Sequence, residues 1–381
     1  MRKGNEGSKF MLFLMVWAIF FIFVLMFSLG FLSALVDFDL DEALALVSSP
    51  LGTIVYQLLV FILPLTVWIA LRGESFKPNF PAAKLGGKNI LILVILSFLL
   101  QPVMMMISGI SGLFFNNDVA ELMYTFQRHP FWLQLLAIAV TPAICEELVF
   151  RGYIQSKYRN HTIRKVALIN GLFFAMMHLN LQQFAYTFVL GIVFAYLVHH
   201  TRSIWAAILP HFIVNGTQVA LSRMVFAFAP EYVDTYAEEL LANMPVSPEV
   251  QGIITFGVIS LILSPVIFIL YKGFVRHNKW RFASENSHET VPAQPVGAYD
   301  YGHNDESQAN INAMPEWARS YHETHSNIPN EAPEDTNTFA PQPPVPIQAY
   351  ELHHKPSRID PFAIGVVVVF IVFVLFLHLG S

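Results

Sequence analysis

The sequence predicts an all-α membrane protein, a polytopic transmembrane bundle of about eight core helices followed by one C-terminal anchor helix. Of its 381 residues, 55% are hydrophobic and only 13% are charged, whereas soluble domains carry about 25% charged residues. Several stretches also reach the roughly 20 apolar residues that a membrane-spanning helix requires. Composition and run length therefore indicate the same class.

Nine apolar segments are long enough, or nearly long enough, to form membrane helices. The first is too long for the hydrophobic region of a signal peptide and is predicted to remain as a helix. The fifth and sixth are the shortest and are separated by two residues, so we expect them to form a tight hairpin. The segments are 10–36, 51–71, 90–115, 131–156, 165–180, 183–200, 203–228, 253–275 and 361–379.

The basic residues are distributed unequally between the two sides of this predicted bundle. The N-terminal segment and every second connection together carry 17 Lys and Arg residues, whereas the alternate connections carry 2. Cytoplasmic loops of membrane proteins are enriched in Lys and Arg. The N-terminus is therefore predicted to be cytoplasmic.

The chain divides into five predicted regions. The fourth is rich in Pro, Asn, Asp and Glu and has no apolar period, so it cannot bury enough apolar surface to fold and should be a disordered cytoplasmic linker. The last is predicted to be a plain anchor, and a protein partner that binds the tail is an open alternative. The regions are 1–89 (N-terminal helices), 90–228 (core), 229–281 (eighth helix), 282–360 (linker) and 361–381 (final helix).

Composition also excludes several classes of function. The single cysteine, Cys145, rules out a disulfide framework within the chain and a cysteine-rich zinc site. There is no basic nucleic-acid surface and no phosphate-binding glycine loop. The expected partners are the lipid bilayer and molecules associated with it.

The fourth segment carries ionisable residues, which are rare in membrane helices and usually functional. Glu147 and Arg151 are four residues apart with the acid first, the favourable order for a pair on one helix face. Glu146 points about 100° away from Glu147. The ion pair could simply fix the helix register. Glu146 has no such partner, and burial without a counter-ion favours a carboxyl that accepts a proton near neutral pH.

Two later segments add imidazole and amide groups. His178 lies in the fifth segment, and His211 and Asn215 are four residues apart on one face of the seventh. An imidazole and a carboxamide side by side can donate hydrogen bonds to a developing oxyanion, although polar residues in membrane bundles often only satisfy each other. Together with Glu146, this set suits peptide hydrolysis by an activated water molecule.

These residues also carry a family resemblance. EELVFR, FAMMH and HFIVN fit the patterns E-E-x-x-x-R, F-x-x-x-H and H-x-x-x-N. In this order, on successive membrane helices, they resemble the CAAX protease and bacteriocin-processing (CPBP, or Abi) family of intramembrane endopeptidases. The Ras-converting prenyl protease belongs to that family. The resemblance covers roughly residues 90–228.

The resemblance implies a role for each residue of the motifs. It implies that Glu146 activates the attacking water with help from His178, and that His211 and Asn215 stabilise the oxyanion. Glu147 and Arg151 would support the site. The substrate would be a membrane-associated peptide or protein, and we expect the enzyme in the plasma membrane of a bacterium.

Metal dependence is open in this resemblance. No cofactor is certain from the sequence, and it has no HExxH motif. Glu146, His178 and His211 could ligate a divalent ion such as zinc if they converge. A metal-free glutamate mechanism is slightly favoured.

Two other functions compete with hydrolysis. A non-catalytic scaffold that regulates envelope proteins would explain the long tail, but it does not need all three motifs. A proton-coupled transporter would use the buried acid and imidazoles as a relay and predicts internal repeats, which the sequence does not show.

Overall fold

Helices make up most of the described part of the computed structural model, which comprises residues 5–35, 39–228, 246–281 and 360–379. Within these ranges there is an isolated β-bridge between Ala82 and Ser203 but no strand. The all-α prediction is confirmed. The predicted linker lies outside the described residues up to position 359.

Eleven helices, besides a short 3-10 helix at Lys77–Asn79, form the described structure, and we number them in chain order. Their bounds are α1 Glu6–Leu35, α2 Leu40–Val47, α3 Pro50–Leu71, α4 Gly87–Gly112, α5 Asp118–Phe126, α6 Phe131–Lys157, α7 Ile163–Met177, α8 Leu181–Thr201, α9 Trp205–Phe228, α10 Pro248–Asn278 and α11 Pro361–Leu379. Six of them (α1, α3, α4, α6, α8 and α10) are long and apolar enough to cross a membrane. The chain is therefore an integral membrane protein, whereas the side on which its N-terminus lies stays a prediction.

Each of the nine predicted segments is helical, with shifted ends. The third begins at Gly87, and the eighth begins at Pro248, where Ser247 caps the helix. The short amphipathic helices α2 and α5 were not predicted, because neither approaches the length of a membrane span.

Helices α7 and α8 form the predicted hairpin and approach each other by direct backbone contact. The turn contains Leu179 in the left-handed region, at φ 51°, and Asn180 caps α8 by accepting from the amide of Gln183 at 3.0 Å. A Cβ atom on Gly191 would lie 2.6 Å from the Cα of Gly171. Small residues permit this spacing between membrane helices.

Replacement of Gly171 by alanine should separate this hairpin. Its Cβ would lie 2.8 Å from the carbonyl oxygen of Phe188, which belongs to the backbone and cannot rotate away. Overpacking of this kind typically costs about 1–3 kcal/mol, so we expect a lower unfolding temperature in detergent. Gly273→Ala is the matched control, because a Cβ there meets no atom within 4 Å. Equal unfolding temperatures for the two variants would contradict the close approach.

Ion pairs and a hydrogen bond connect α1, α3 and α6 near one end of each helix. Arg72, which follows α3, contacts Glu6 at 2.6 Å and Glu74 at 2.9 Å. Lys157 at the end of α6 also pairs with Glu74. Deeper in the bundle, the indole of Trp68 donates a hydrogen bond to the hydroxyl of Tyr153 at 2.8 Å. These contacts fix the second half of α6.

The Glu74 contacts should make stability depend on pH. Burial alone would raise the pKa of Glu74, but hydrogen bonds from Lys157 and Arg72 outweigh it and hold that pKa below its usual value. A depressed carboxyl pKa contributes stability above the ordinary glutamate value and loses it as the pH falls. We expect the unfolding temperature of the wild type to fall more between pH 6 and pH 4 than that of Glu74→Gln. Parallel curves would contradict this assignment.

Candidate active site

The helix that carries both glutamates is interrupted by two π-helical segments. In α6, residues Leu136–Val140 and Leu148–Ile154 are π-helical, and Thr141–Glu147 between them is α-helical. Such wide turns often occur at functional sites. They also leave backbone carbonyl groups without their usual helical partner, and buried carbonyl groups need other donors.

Side-chain amides from three other helices supply those donors. Gln57 of α3 donates to the carbonyl of Ala137 at 3.2 Å, and Asn215 of α9 donates to that of Ile138 at 2.9 Å. In the second wide turn, the buried Asn170 of α7 donates to the carbonyl of Phe150 at 2.8 Å. The segment with the glutamates is therefore held on both sides.

Gln57 and Asn170 were missed by the sequence reasoning. The available signal was a carboxamide inside an otherwise apolar helix, as in VYQLLVF and LINGLFF. Their partners could not be found in this way, because the acceptors are backbone groups whose availability depends on the π turns.

Glu147 and Arg151 form a fully buried ion pair. The Nη1 atom of Arg151 donates to Oε1 of Glu147 at 2.9 Å, and neither side chain is exposed. Its Nη2 atom donates to the carbonyl of Gly191 in α8 at 3.2 Å. The guanidinium also lies 4.3 Å from the ring centroid of Phe174. Arg151 therefore connects α6 to both helices of the hairpin.

His211 lies between the two glutamates. Its Nδ1 atom is 2.8 Å from Oε1 of Glu147, and its Nε2 atom is 4.0 Å from Oε2 of Glu146. Because an ionised Glu147 can only accept, Nδ1 carries the proton, and Nε2 of the neutral ring presents a lone pair towards Glu146. Phe174 and Phe194 pack against the ring at centroid distances of 5.9 and 5.7 Å.

His178 caps the C-terminus of α7 and approaches the same centre. Its Nδ1 atom lies 2.8 Å from the carbonyl oxygen of Phe174 and must donate to it. Its Nε2 atom is therefore an acceptor in the neutral ring. The ring of Phe174 contacts both imidazoles, with centroid distances of 4.9 Å to His178 and 5.9 Å to His211.

Asn215 and His211 were expected to act side by side, but they contact different groups. The spacing places both residues on one face of α9, but His211 reaches Glu147 whereas Asn215 reaches the carbonyl of Ile138. Asn215 is half-buried. Its observed contact holds the backbone of α6, and one of its two amide hydrogens is used for that purpose.

Several buried polar atoms of this centre have no hydrogen-bond partner among the described residues. Oε2 of Glu146 and Oε2 of Glu147 are both in this state, as is Oε1 of Gln57. Glu146 is 9% exposed, which leaves it at the edge of the buried region. Unpaired buried acceptors of this kind mark positions where a small polar molecule can be bound.

The candidate metal ligands do not form a metal-binding group. Within the described ranges, no three His, Cys, Asp or Glu side chains are arranged to hold a metal ion. This applies to Glu146, His178 and His211, so the donor set does not fit a three-ligand zinc site.

A cavity of about 470 Å³ lies beside the site but does not contain it. It opens between α4, α7, α8, α9 and α10 and is lined mainly by apolar side chains. Pro210, which precedes His211, is part of its wall, and Arg164, Tyr196 and Tyr271 contribute polar groups.

In a comparison with known protein families, one segment of the chain matches a family model. Residues 128–217 match the family model described as Rce1-like, type II CAAX prenyl endopeptidase. The match confirms the family resemblance for this segment, which includes all seven defined residues of the three motifs. It covers less than a quarter of the chain. No curated protein and no solved structure matches the chain.

Proposed function

Because residues 128–217 match the Rce1-like family model, we propose that this chain is an intramembrane endopeptidase. It hydrolyses a peptide bond of a membrane-associated peptide or protein with a water molecule activated at Glu146. The observation that supports this proposal best is the pair of facing acceptors, Oε2 of Glu146 and Nε2 of His211, 4.0 Å apart.

The separation of these acceptors suits one shared water molecule. A distance of 4.0 Å is too long for a direct hydrogen bond. A water about 2.8 Å from each atom would subtend an angle of about 90° between them, close enough to tetrahedral for both to accept its hydrogens. Oε2 of Glu146 has no competing partner among the described side chains and backbone groups.

The reaction then follows from the protonation states of the site. Glu146 takes one proton of the water while the water oxygen attacks the carbonyl carbon of the substrate. Protonated Glu146 next gives that proton to the leaving amine, and the C–N bond breaks. His211 orients the water, because Glu147 fixes its tautomer.

The remaining residues would position these groups or bind the oxyanion. Arg151 balances the charge of Glu147, and the second amide hydrogen of Asn215 is the proposed donor to the oxyanion. His178 would accept a further hydrogen bond through Nε2 from the water or the substrate. Glu146, His178, His211 and Asn215 thus keep catalytic roles in this proposal.

The proposal can be tested by identifying the peptides that the enzyme removes. We expect membranes of cells that produce Glu146→Gln or His178→Ala to accumulate a common set of peptides, measured by mass spectrometry against cells with the wild type. Glu121→Gln is the matched control, because Glu121 is exposed in α5. Wild-type peptide patterns in both site variants, at equal protein levels, would favour a non-catalytic scaffold instead.

A further inference from the structure

The C-terminal helix α11 occupies a cleft between α1 and the α7–α8 hairpin. On one side, Gly365 brings the backbone of α11 close to Leu12 of α1, with its Cβ position 3.4 Å from Cδ2. On the other side, the ring of Phe370 stacks on Phe184 of α8 at a centroid distance of 5.6 Å. Val366 between them is completely buried.

The buried face of α11 and part of α6 belong to one apolar cluster. Residues 366, 370 and 374 of α11 recur at helical spacing and belong to the same buried apolar cluster as Cys145, Val149 and Phe150 of α6. Among the described residues, α1 makes at most marginal contact with α7 and α8, yet all three contact the second π segment of α6. Removal of α11 would therefore open a lateral path to the helix that carries Glu146.

The contacts that seat α11 are of the kind that any apolar membrane helix can make. They are apolar and aromatic apart from Lys9 of α1, whose Nζ atom lies 5.3 Å from the ring centroid of Phe362. Val368 and Val372 on the opposite face of the helix are more than half exposed. Residues 282–359, which number 78, connect α11 to α10. A covalent connection of this length keeps the helix near its cleft even when it has left.

We propose that this cleft is the docking site for an apolar membrane-spanning helix of the substrate, and that α11 is its intramolecular occupant. The substrate helix that fits has a small residue facing α1 and an aromatic residue facing α8, as Gly365 and Phe370 do. Because α11 blocks the site, it must leave before a substrate segment enters. This inference rests on the proposed peptidase function and names the substrate class.

A binding experiment tests the docking site without cleavage. The probe is a synthetic peptide of residues 360–379 with a benzophenone in place of the Phe370 ring. It is mixed with the full chain carrying Glu146→Gln in vesicles of phosphatidylethanolamine and phosphatidylglycerol. We expect Gly365→Phe in the chain to increase labelling several-fold, because Leu12 leaves no room for the new ring. Mass spectrometry should locate the label near Phe184.

The matched control for Gly365→Phe is Val368→Phe, which adds the same ring to the exposed face of α11 and should leave labelling unchanged. Linking Leu12→Cys to Gly365→Cys with a short, reducible bifunctional thiol reagent should abolish labelling, and reduction should restore it. The buried Cys145 should not compete for the reagent.

Equal labelling of Gly365→Phe, Val368→Phe and the linked protein would overturn the docking site. Because the experiment uses an inactive background, that result would leave the proposed function intact. Conversely, wild-type peptide patterns in both site variants of the accumulation experiment would remove the proposed function even if the probe binds as expected.

Discussion

Replacement of Glu146 by glutamine is expected to lower the cleavage rate by about a thousandfold without unfolding the bundle. General acid–base catalysis typically contributes a factor of about 10²–10⁴, and a carboxamide cannot take the water proton. The change conserves side-chain shape. It also leaves the ion pair of Arg151 intact, because the partner of Arg151 is Glu147, and Oε2 of Glu146 has no hydrogen-bond partner within the described structure.

The measurement is steady-state cleavage of a peptide identified by the accumulation experiment, with the purified protein in vesicles. The loss should fall on kcat, because Glu146 acts on water rather than on the substrate side chains. The unfolding temperature should match that of the wild type. A variant that keeps more than a tenth of the wild-type kcat would exclude Glu146 as the base.

Replacement of Arg151 by methionine should have the largest effect on stability. The change leaves the carboxylate of Glu147 buried with no cation beside it, and breaking one side of a buried ion pair typically costs about 3–5 kcal/mol. It also removes the contact to the Gly191 carbonyl and the packing on Phe174. We expect little folded protein after detergent extraction, measured by size-exclusion chromatography and thermal unfolding.

A second substitution separates charge from packing in this experiment. The double variant Glu147→Gln/Arg151→Met no longer contains the uncompensated charge, so it should regain much of the lost stability. It should stay inactive, because a glutamine does not fix the His211 tautomer as a carboxylate does. Equal stability of the single and double variants would show that packing of the guanidinium, and not its charge, dominates.

The parts of the fold that depend on local sequence were predictable. The apolar runs gave the nine long helices, and the two-residue separation gave the hairpin. The four-residue spacing of Glu147 and Arg151 gave their contact, because neighbours at this spacing share a helix face. The three motifs located the segment that matches the Rce1-like family model.

The parts that depend on tertiary contacts could not be predicted. A π turn has no hydrophobic period of its own, and those in α6 are accompanied by hydrogen bonds from Gln57, Asn170 and Asn215 on other helices. His211 forms its contact with Glu147 and not with Asn215. This pairing depends on the same distortion, because the wide turns set the direction in which each glutamate points. Spacing along a regular helix does not contain that information.

The wide turns of α6 let the helix contain an extra residue without changing the direction of the residues that follow. Loss of one residue within Leu136–Val140 would let that turn relax to a regular helix and would leave Glu146 facing nearly the same way, because a π turn takes about one residue more than an α turn. The span would still insert, and its hydrophobicity would be nearly unchanged. A relative with such a deletion would keep every motif letter, but the carbonyl groups of Ala137 and Ile138 would regain helical partners, and Gln57 and Asn215 would lose their acceptors.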